Sequence, residues 1–405
     1  MNDTEEKSFR VIVLGSNPAT RLSLIRCVGA VEGCKVTVIN MVLRFPEKPS
    51  RTLDTYSKYV DRWMFAKKFD ADGLAKVLLE QCREDGEKPL LMSVDDDSAC
   101  LVDTIQDQIR DFFCFSHIDN KAGAIATLMD KARQKELAKE IGFNVVESWQ
   151  MDCVDGKYSI PEGIKYPCYV KGRLSYHSAK QYQKRCNSRE ELEQWLRVVA
   201  KHNPSPLLAE EFIDIDKEYG VIGFSDAEKV VLPGIVDLLD GGHGGHKGVS
   251  AFGRVNDFNL DLPLKRQIEE LIKHIRLTGL FNVDIVEAGG KRYFVELNLR
   301  FAAYGYAVFK AGVNLPAYQV FHVQHKPYDQ LGATLNNGYC YANERVAFDD
   351  VAGGYRSWKN YREMIRKADC RLVYCEEDPE PYRVFRKQMK KTFLLVRLKK
   401  ALRKK

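Results

Sequence analysis

Residues 280–305, LFNVDIVEAGGKRYFVELNLRFAAYG, carry two carboxylates, an amide and a guanidinium at strand spacing. The stretch reads as a hairpin: NVDIVE, a turn at AGG, then KRYFVELNLR. Residues two apart on a strand share a face. Glu296, Asn298 and Arg300 therefore project together, with Asp284 on the opposite strand, and Arg292 and Phe294 are expected to continue the same alternation. Carboxylates on a core face are costly unless a cation compensates them. Oxygen ligands of this kind suit Mg²⁺, which keeps part of its water and takes phosphate oxygens. Arg300 would offer a fork to a phosphoryl group in transfer. The plainer alternative is a solvated strand with its charges on the wet side.

Two lysines fit the same chemistry: Lys131 in LMDKARQKELAKEIG, and Lys171 at the end of the apolar run in KYPCYVKGR. Each is a point charge suited to phosphate oxygens, and each alone also reads as ordinary surface. Loop GRLSYHSAK after Lys171 has the look of a phosphate cover. In PLLAEEFIDIDKEYGVIGF, residues 206–224, a strand, a polar break and a second strand offer backbone groups to a base and Glu218 to ribose hydroxyls. Asp95, Asp96 and Asp97 follow the strand PLLMSV. They read either as cleft residues, Asp96 among them as a substrate contact, or as the cap of the next helix. His243 and His246 in GGHGGHKG read as substrate-orienting groups or as part of a mobile loop; two histidines alone make a poor metal motif.

These residues need a scaffold. RVIVLG, residues 10–15, a helical LSLIRCVGAV and KVTVIN predict β-α-β, the opening of a doubly wound parallel sheet. Gly15 is followed by Ser16, Asn17 and Pro18, so the dinucleotide fingerprint is absent and a nicotinamide enzyme is disfavoured. Helical periodicity spans 119–142 and ends at Gly142; strands alternating with helices then give α+β texture to about 325.

At 405 residues, 45% hydrophobic and 29% charged, the chain has the composition of a globular protein of two or three domains. Eleven scattered cysteines, none spaced C-x-x-C, fit a reducing cytoplasm, and the polar start shows no secretory signal. The net charge is +6, but residues 386–405 hold ten Lys or Arg and no acid, leaving a body at −4. A nucleic-acid partner is therefore not expected. The tail reads as a helix closing the fold, or as one that sets Phe393, Leu394, Leu398 and Leu402 into an anionic membrane surface.

Taken in order, DK…K…LAKEIG, YPCYVK, EEFI…KEYGV and NVDIVE…YFVELNLR resemble the ATP-grasp superfamily over about residues 1–325. The chain looks most similar to its D-aspartate ligase and carbamoyl-phosphate-synthase-like branch. The resemblance implies an N-terminal parallel-sheet domain over 1–115, ATP-grasp lobes over 116–208 and 209–325, a small cap over 326–385 and a basic tail over 386–405. It implies that Lys131 and Lys171 contact ATP phosphates. Glu210, Glu211, Phe212 and Ile213 would form the adenine hinge, and Glu218 the ribose contact. Asp284, Glu296 and Asn298 would hold one or two Mg²⁺, with Mn²⁺ as a substitute, and Arg300 would stabilise the transferred phosphoryl group. The loop RLSYHSAK departs from the glycine-rich pattern frequent in that family.

The implied activity is ligation: ATP activates a small-molecule carboxylate as an acyl-phosphate, and an amine displaces phosphate. A nucleotide-binding scaffold without turnover and a small-molecule kinase remain alternatives. Neither the two substrates nor the oligomeric state is legible.

Overall fold

The computed structural model describes residues 8–41, 51–66, 70–154, 156–176, 182–202, 206–243, 249–258, 261–332 and 334–402, with backbone only at Val154 and over 394–402. His246 and residues 177–180 of the expected phosphate cover lie outside them.

Strands β1 (Phe9–Gly15), β2 (Cys34–Met41), β3 (Val60–Ala66), β4 (Leu90–Ser93) and β5 (Cys114–Phe115) form a parallel sheet in the order β3-β2-β1-β4-β5. The unbroken apolar run of β1 suits a strand covered on both faces. Val11 and Val13 enter one core, Ile12 and Leu14 another. Asn17 caps the helix Pro18–Gly29 by accepting from the Ala19 and Thr20 N–H groups.

After β6 (His117–Ile118), the expected single helix over 119–142 is two, Ala124–Leu128 and Lys131–Glu140. Asp130 divides them, because its side chain accepts from the Ala132 N–H and starts a new helix. Gly142 does end the second, at φ +89°.

An antiparallel sheet follows, built from β7 (Ser148–Met151), β10 (Cys168–Gly172), β11 (Lys184–Cys186) and β12 (Leu207–Glu211) in the order β11-β10-β12-β7. A minor hairpin, β8 (Cys153–Val154) with β9 (Lys157–Tyr158), interrupts it in sequence. The helix Arg189–Val199 covers one face with Leu192, Leu196 and Val199.

The largest sheet takes β13 (Lys217–Asp226), β14 (Val230–Gly241), β15 (Ser250–Asp257), β16 (Leu277–Ala288), β17 (Lys291–Asn298), β18 (Tyr339–Ala342) and β19 (Cys370–Arg371). Their order is β17-β16-β13-β14-β15-β18-β19, with β6 also on β16. Segment 326–385, expected as a small cap, supplies β18 and β19 to this sheet.

Two further features tie the chain's parts together. Val11, Val13, Leu90 and Met92 of the first sheet share one core with Phe224, Val236 and Leu280 of the third, through Tyr306, Val308 and Tyr318. Arg26, buried on the helix Pro18–Gly29, donates to the Asp378 carboxylate at 3.0 Å and to the carbonyls of Leu372, Val373 and Asp378. Asp378 also accepts from the Ser57 hydroxyl at 2.8 Å and the Lys58 N–H at 2.9 Å.

Helix Glu380–Leu402 carries most of the basic tail. Phe385 is buried against Leu22, Leu53, Phe348 and Val373, and the Phe393 ring meets Trp358 at 5.5 Å. Phe385, Met389 and Phe393 recur every fourth residue and present one face to the body. Phe393, offered above to a membrane, is therefore a packing residue. Among the described residues, no helix is long and apolar enough to cross a membrane.

Candidate active site

The β16–β17 hairpin sets Asp284 opposite Glu296 and Asn282 opposite Asn298. The register slips between Asp284 and Ile285, which faces Phe294, so Val295 is an extra residue on β17. Such a bulge turns the preceding side chains to the other face. Phe294 packs in the core with Phe143 and Leu297, and Arg292 pairs with Asp261. The expected alternation from Arg292 through Arg300 therefore breaks at the bulge, and only Glu296, Asn298 and Arg300 share the face of Asp284.

Around Asp284, the Asn282 amide donates at 2.9 Å and the Asn298 amide at 3.1 Å. Arg300 donates to the Asn298 oxygen at 3.2 Å and to Asp96 at 3.0 Å. Tyr304 donates to the Asn282 oxygen. Gly220 stands opposite Asp284 on β13, and a Cβ there would overlap the Tyr304 hydroxyl. Burial and the nearby Asp284 push the Tyr304 phenol far up, so it stays a donor.

Glu296 is held by residues from outside the hairpin. Ser175 donates to its carboxylate at 2.6 Å, Lys131 lies 3.2 Å away, and Lys131 donates to the Ser175 oxygen at 2.9 Å. Burial alone would raise the Glu296 carboxyl; Lys131, Ser175 and Lys171 overcome that and pull it down to about 2. Lys131 is fixed because it follows the Asp130 cap and its N–H donates to the Arg173 carbonyl at 2.9 Å.

Lys171 on β10 reaches Glu210 at 2.9 Å, and Lys135 reaches the same oxygen at 2.5 Å. Tyr169 faces Glu210 in the register, so Lys171 is its diagonal neighbour on one face. Burial lowers the Lys135 ammonium to about 8 against the pull of Glu210. Burial also opposes the charge on Lys171, but Glu210 outweighs it and raises that pKa.

Glu210, expected at the adenine hinge, has a buried side chain that balances these two lysines, and its backbone pairs with both β10 and β7. The Glu211 N–H donates to the Glu147 carbonyl and the Phe212 N–H to the Pro167 carbonyl. Arg185 lies over the Phe212 ring at 4.0 Å. Residues 212–216, including half-buried Ile213, join β12 to β13 and so the second sheet to the third. Glu218 lies exposed on β13, two residues before Gly220, with its carboxyl raised by partial desolvation.

Of the three aspartates after β4, Asp95 is the helix cap, accepting from the Ser98 N–H, and also from the Ser16 N–H and hydroxyl. Asp96 is the residue that reaches Arg300, and the Phe301 N–H donates to the Ser93 carbonyl beside it. The His243 N–H donates to Asp350 at 2.8 Å, and its ring stacks on Tyr355 at 5.8 Å.

Four participants went unread in the sequence. Lys135 and Asn282 carried a signal: Lys135 lies one helical turn past Lys131, and Asn282 two residues before Asp284. Ser175 and Tyr304 carried none.

Among the described residues, no three His, Cys, Asp or Glu side chains are grouped to hold a metal ion. Asp284, Glu296 and Asn298 are two carboxylates and an amide. That small, hard set suits an ion that fills its shell with water and phosphate oxygens. The Glu296 end of it already receives a cation from Lys131.

The chain has the ATP-grasp fold. It is similar over 87% of its length, and 87% of the other chain, to N5-carboxyaminoimidazole synthetase from Staphylococcus aureus, at TM-score 0.61 and 16% identity. L-amino acid ligase from Bacillus licheniformis matches 78% of this chain and 74% of its own, at TM-score 0.56 and 15% identity. In sequence, 188 residues are 23% identical to the carbamoyl phosphate synthase large chain of Vibrio cholerae, covering 46% of this chain and 17% of that one. The large chain from Clostridium beijerinckii is 27% identical over 182 residues, 42% of this chain and 16% of its own. The chain thus spans about a sixth of the curated relatives' length. No family model matches it.

Proposed function

We propose that the protein is an ATP-dependent ligase that activates a small-molecule carboxylate and couples it to an amine. The observation that carries this reading is the buried Lys131–Glu296 pair with Asp284, Asn298 and Arg300 beside it, and a second buried lysine, Lys171, held by Glu210. A carboxylate anion is a poor electrophile. Its oxygen attacks the γ-phosphorus of ATP, the bond to ADP breaks, and the mixed anhydride then accepts the amine with loss of phosphate. Such a reaction needs positioned charge and excluded water more than a nucleophilic side chain.

In this reading Lys131 and Lys171 hold phosphate oxygens, and Glu218 and the 210–213 backbone receive the nucleoside. Arg300 neutralises the phosphoryl group in transfer, held in place by Asn298 and Asp96. Asp284, Glu296 and Asn298 would hold one or two magnesium ions, or manganese, which supply charge to the triphosphate. His243 is assigned no step, its contacts being with Asp350 and Tyr355.

The test is product stoichiometry over a panel of acids and amines. A ligase releases ADP and phosphate only when both partners are present. ADP formed with a stable phosphorylated product would make it a kinase, and nucleotide binding without turnover would leave a scaffold. Lys171→Ala is expected to weaken ATP binding roughly tenfold or more, the scale of one hydrogen bond to a charged group. Equilibrium dialysis measures this, and unchanged affinity would remove Lys171 from the nucleotide site. Contact with an anionic membrane is proposed only for the end beyond Phe393, where residues 394–405 hold six Lys or Arg. Ending the chain at Phe393 is expected to reduce binding to phosphatidylserine vesicles; equal binding would make the helix purely structural.

A further inference from the structure

Two internal ion pairs lie where the proposed ligands would bind. The Lys131 ammonium is 3.2 Å from Glu296, and Ser175 bridges them, donating to Glu296 at 2.6 Å and accepting from Lys131 at 2.9 Å. The side chains of Lys131 and Glu296 are 9% and 20% exposed, so water screens the pair weakly. Arg300 is likewise paired with Asp96.

The geometry points to Lys131 as a built-in substitute for the metal ion, holding the Glu296 carboxylate until nucleotide phosphates draw the ammonium away. This rests on the reading that Glu296 is a metal ligand and Lys131 a phosphate ligand. It adds an order of events. Two cations drawn to one carboxylate repel each other at close range, and the second carboxylate, Asp284, is engaged by two amides. A divalent ion arriving alone must displace a tethered ammonium whose effective concentration is high. A triphosphate offers Lys131 a better anion and brings oxygen ligands of its own. Metal therefore enters with nucleotide or after it, and the protein does not load magnesium in advance.

An internal ligand lowers apparent affinity by the fraction of time the site is closed. A pair closed nine-tenths of the time or more costs about tenfold or more in metal affinity. The experiment titrates Mn²⁺ into full-length, nucleotide-free protein and follows the free-ion paramagnetic resonance signal. Lys131→Met is expected to bind Mn²⁺ about tenfold or more tightly than wild type. That gain should vanish in Lys131→Met combined with Glu296→Gln, and Lys131→Arg, which keeps the cation, should match wild type. If Lys131→Met leaves the sample unfolded by circular dichroism, Ser175→Ala loosens the same bridge and should give a smaller gain of several-fold. Wild-type-level Mn²⁺ binding in both Lys131→Met and Ser175→Ala overturns the inference. A parallel titration with Mn²⁺ and ADP separates the two ideas. Protein that binds Mn²⁺ with ADP, yet shows no gain in the variants, loses only the stand-in. Protein that binds neither loses the functional reading with it.

Discussion

Glu296→Gln is expected to lower Mg²⁺-dependent ADP formation at least about a hundredfold, as loss of one charge-stabilising group at a reacting centre does. The substitution removes a formal charge while keeping shape and one acceptor. It acts on the folded protein as well, because Lys131 loses its counter-ion in a buried place. A glutamine oxygen still accepts from Lys131 and Ser175, so the stability loss is expected to be about 1–3 kcal/mol rather than that of a fully stranded charge. Turnover under saturating MgATP and a urea titration separate the two effects. Wild-type turnover in a folded Glu296→Gln protein would take this residue out of the metal site.

The largest stability effect is expected far from the cleft. Asp378→Ala should destabilise the protein by about 3–5 kcal/mol, the range for breaking one half of a buried ion pair. Asp378 accepts from Arg26, Ser57 and the Lys58 N–H, and both charged side chains are 1% exposed. Alanine leaves the Arg26 guanidinium without its anion, although the carbonyls of Leu372 and Val373 still accept from it. A domain stability of about 5–15 kcal/mol makes that a large fraction. Urea midpoints report the loss, and Arg26→Met combined with Asp378→Leu should recover part of it by removing both charges. By contrast, alanine at Glu380, whose partner Arg383 is mostly exposed, should change stability by less than about 1 kcal/mol. A loss at Asp378 no greater than that would mean the Arg26–Asp378 pair contributes no more than a surface one.

What could be read in advance follows from the range of the interactions involved. The parallel β-α-β opening and the Asp284–Glu296 hairpin are local, coded by apolar runs, a glycine turn and a period of two. The bulge at Val295 is local too, but no residue type announces it, so the alternation was carried through to Phe294 and Arg292. Asp130 is a cap whose signal was present in LMDKAR and was outweighed by the helical period on either side of it. Glu210 was drawn to the hinge by its place in a motif, whereas its role follows from the β10–β12 register, which brings Lys171 alongside. Asp96 and Arg300 meet across 204 positions. No sequence period covers such a span, and only the packing of the first sheet against the third brings them together.

That packing bears on how such a chain can change over generations. Val11, Val13, Leu90 and Met92 lie against side chains contributed from beyond residue 220. The opening parallel sheet is consequently no detachable cassette. Recombination that exchanged the first 115 residues for a foreign counterpart would import an ill-fitting apolar surface and delete Asp96 from beside Arg300. A change on either side of that shared core is expected to be tolerated only with a matching change on the other.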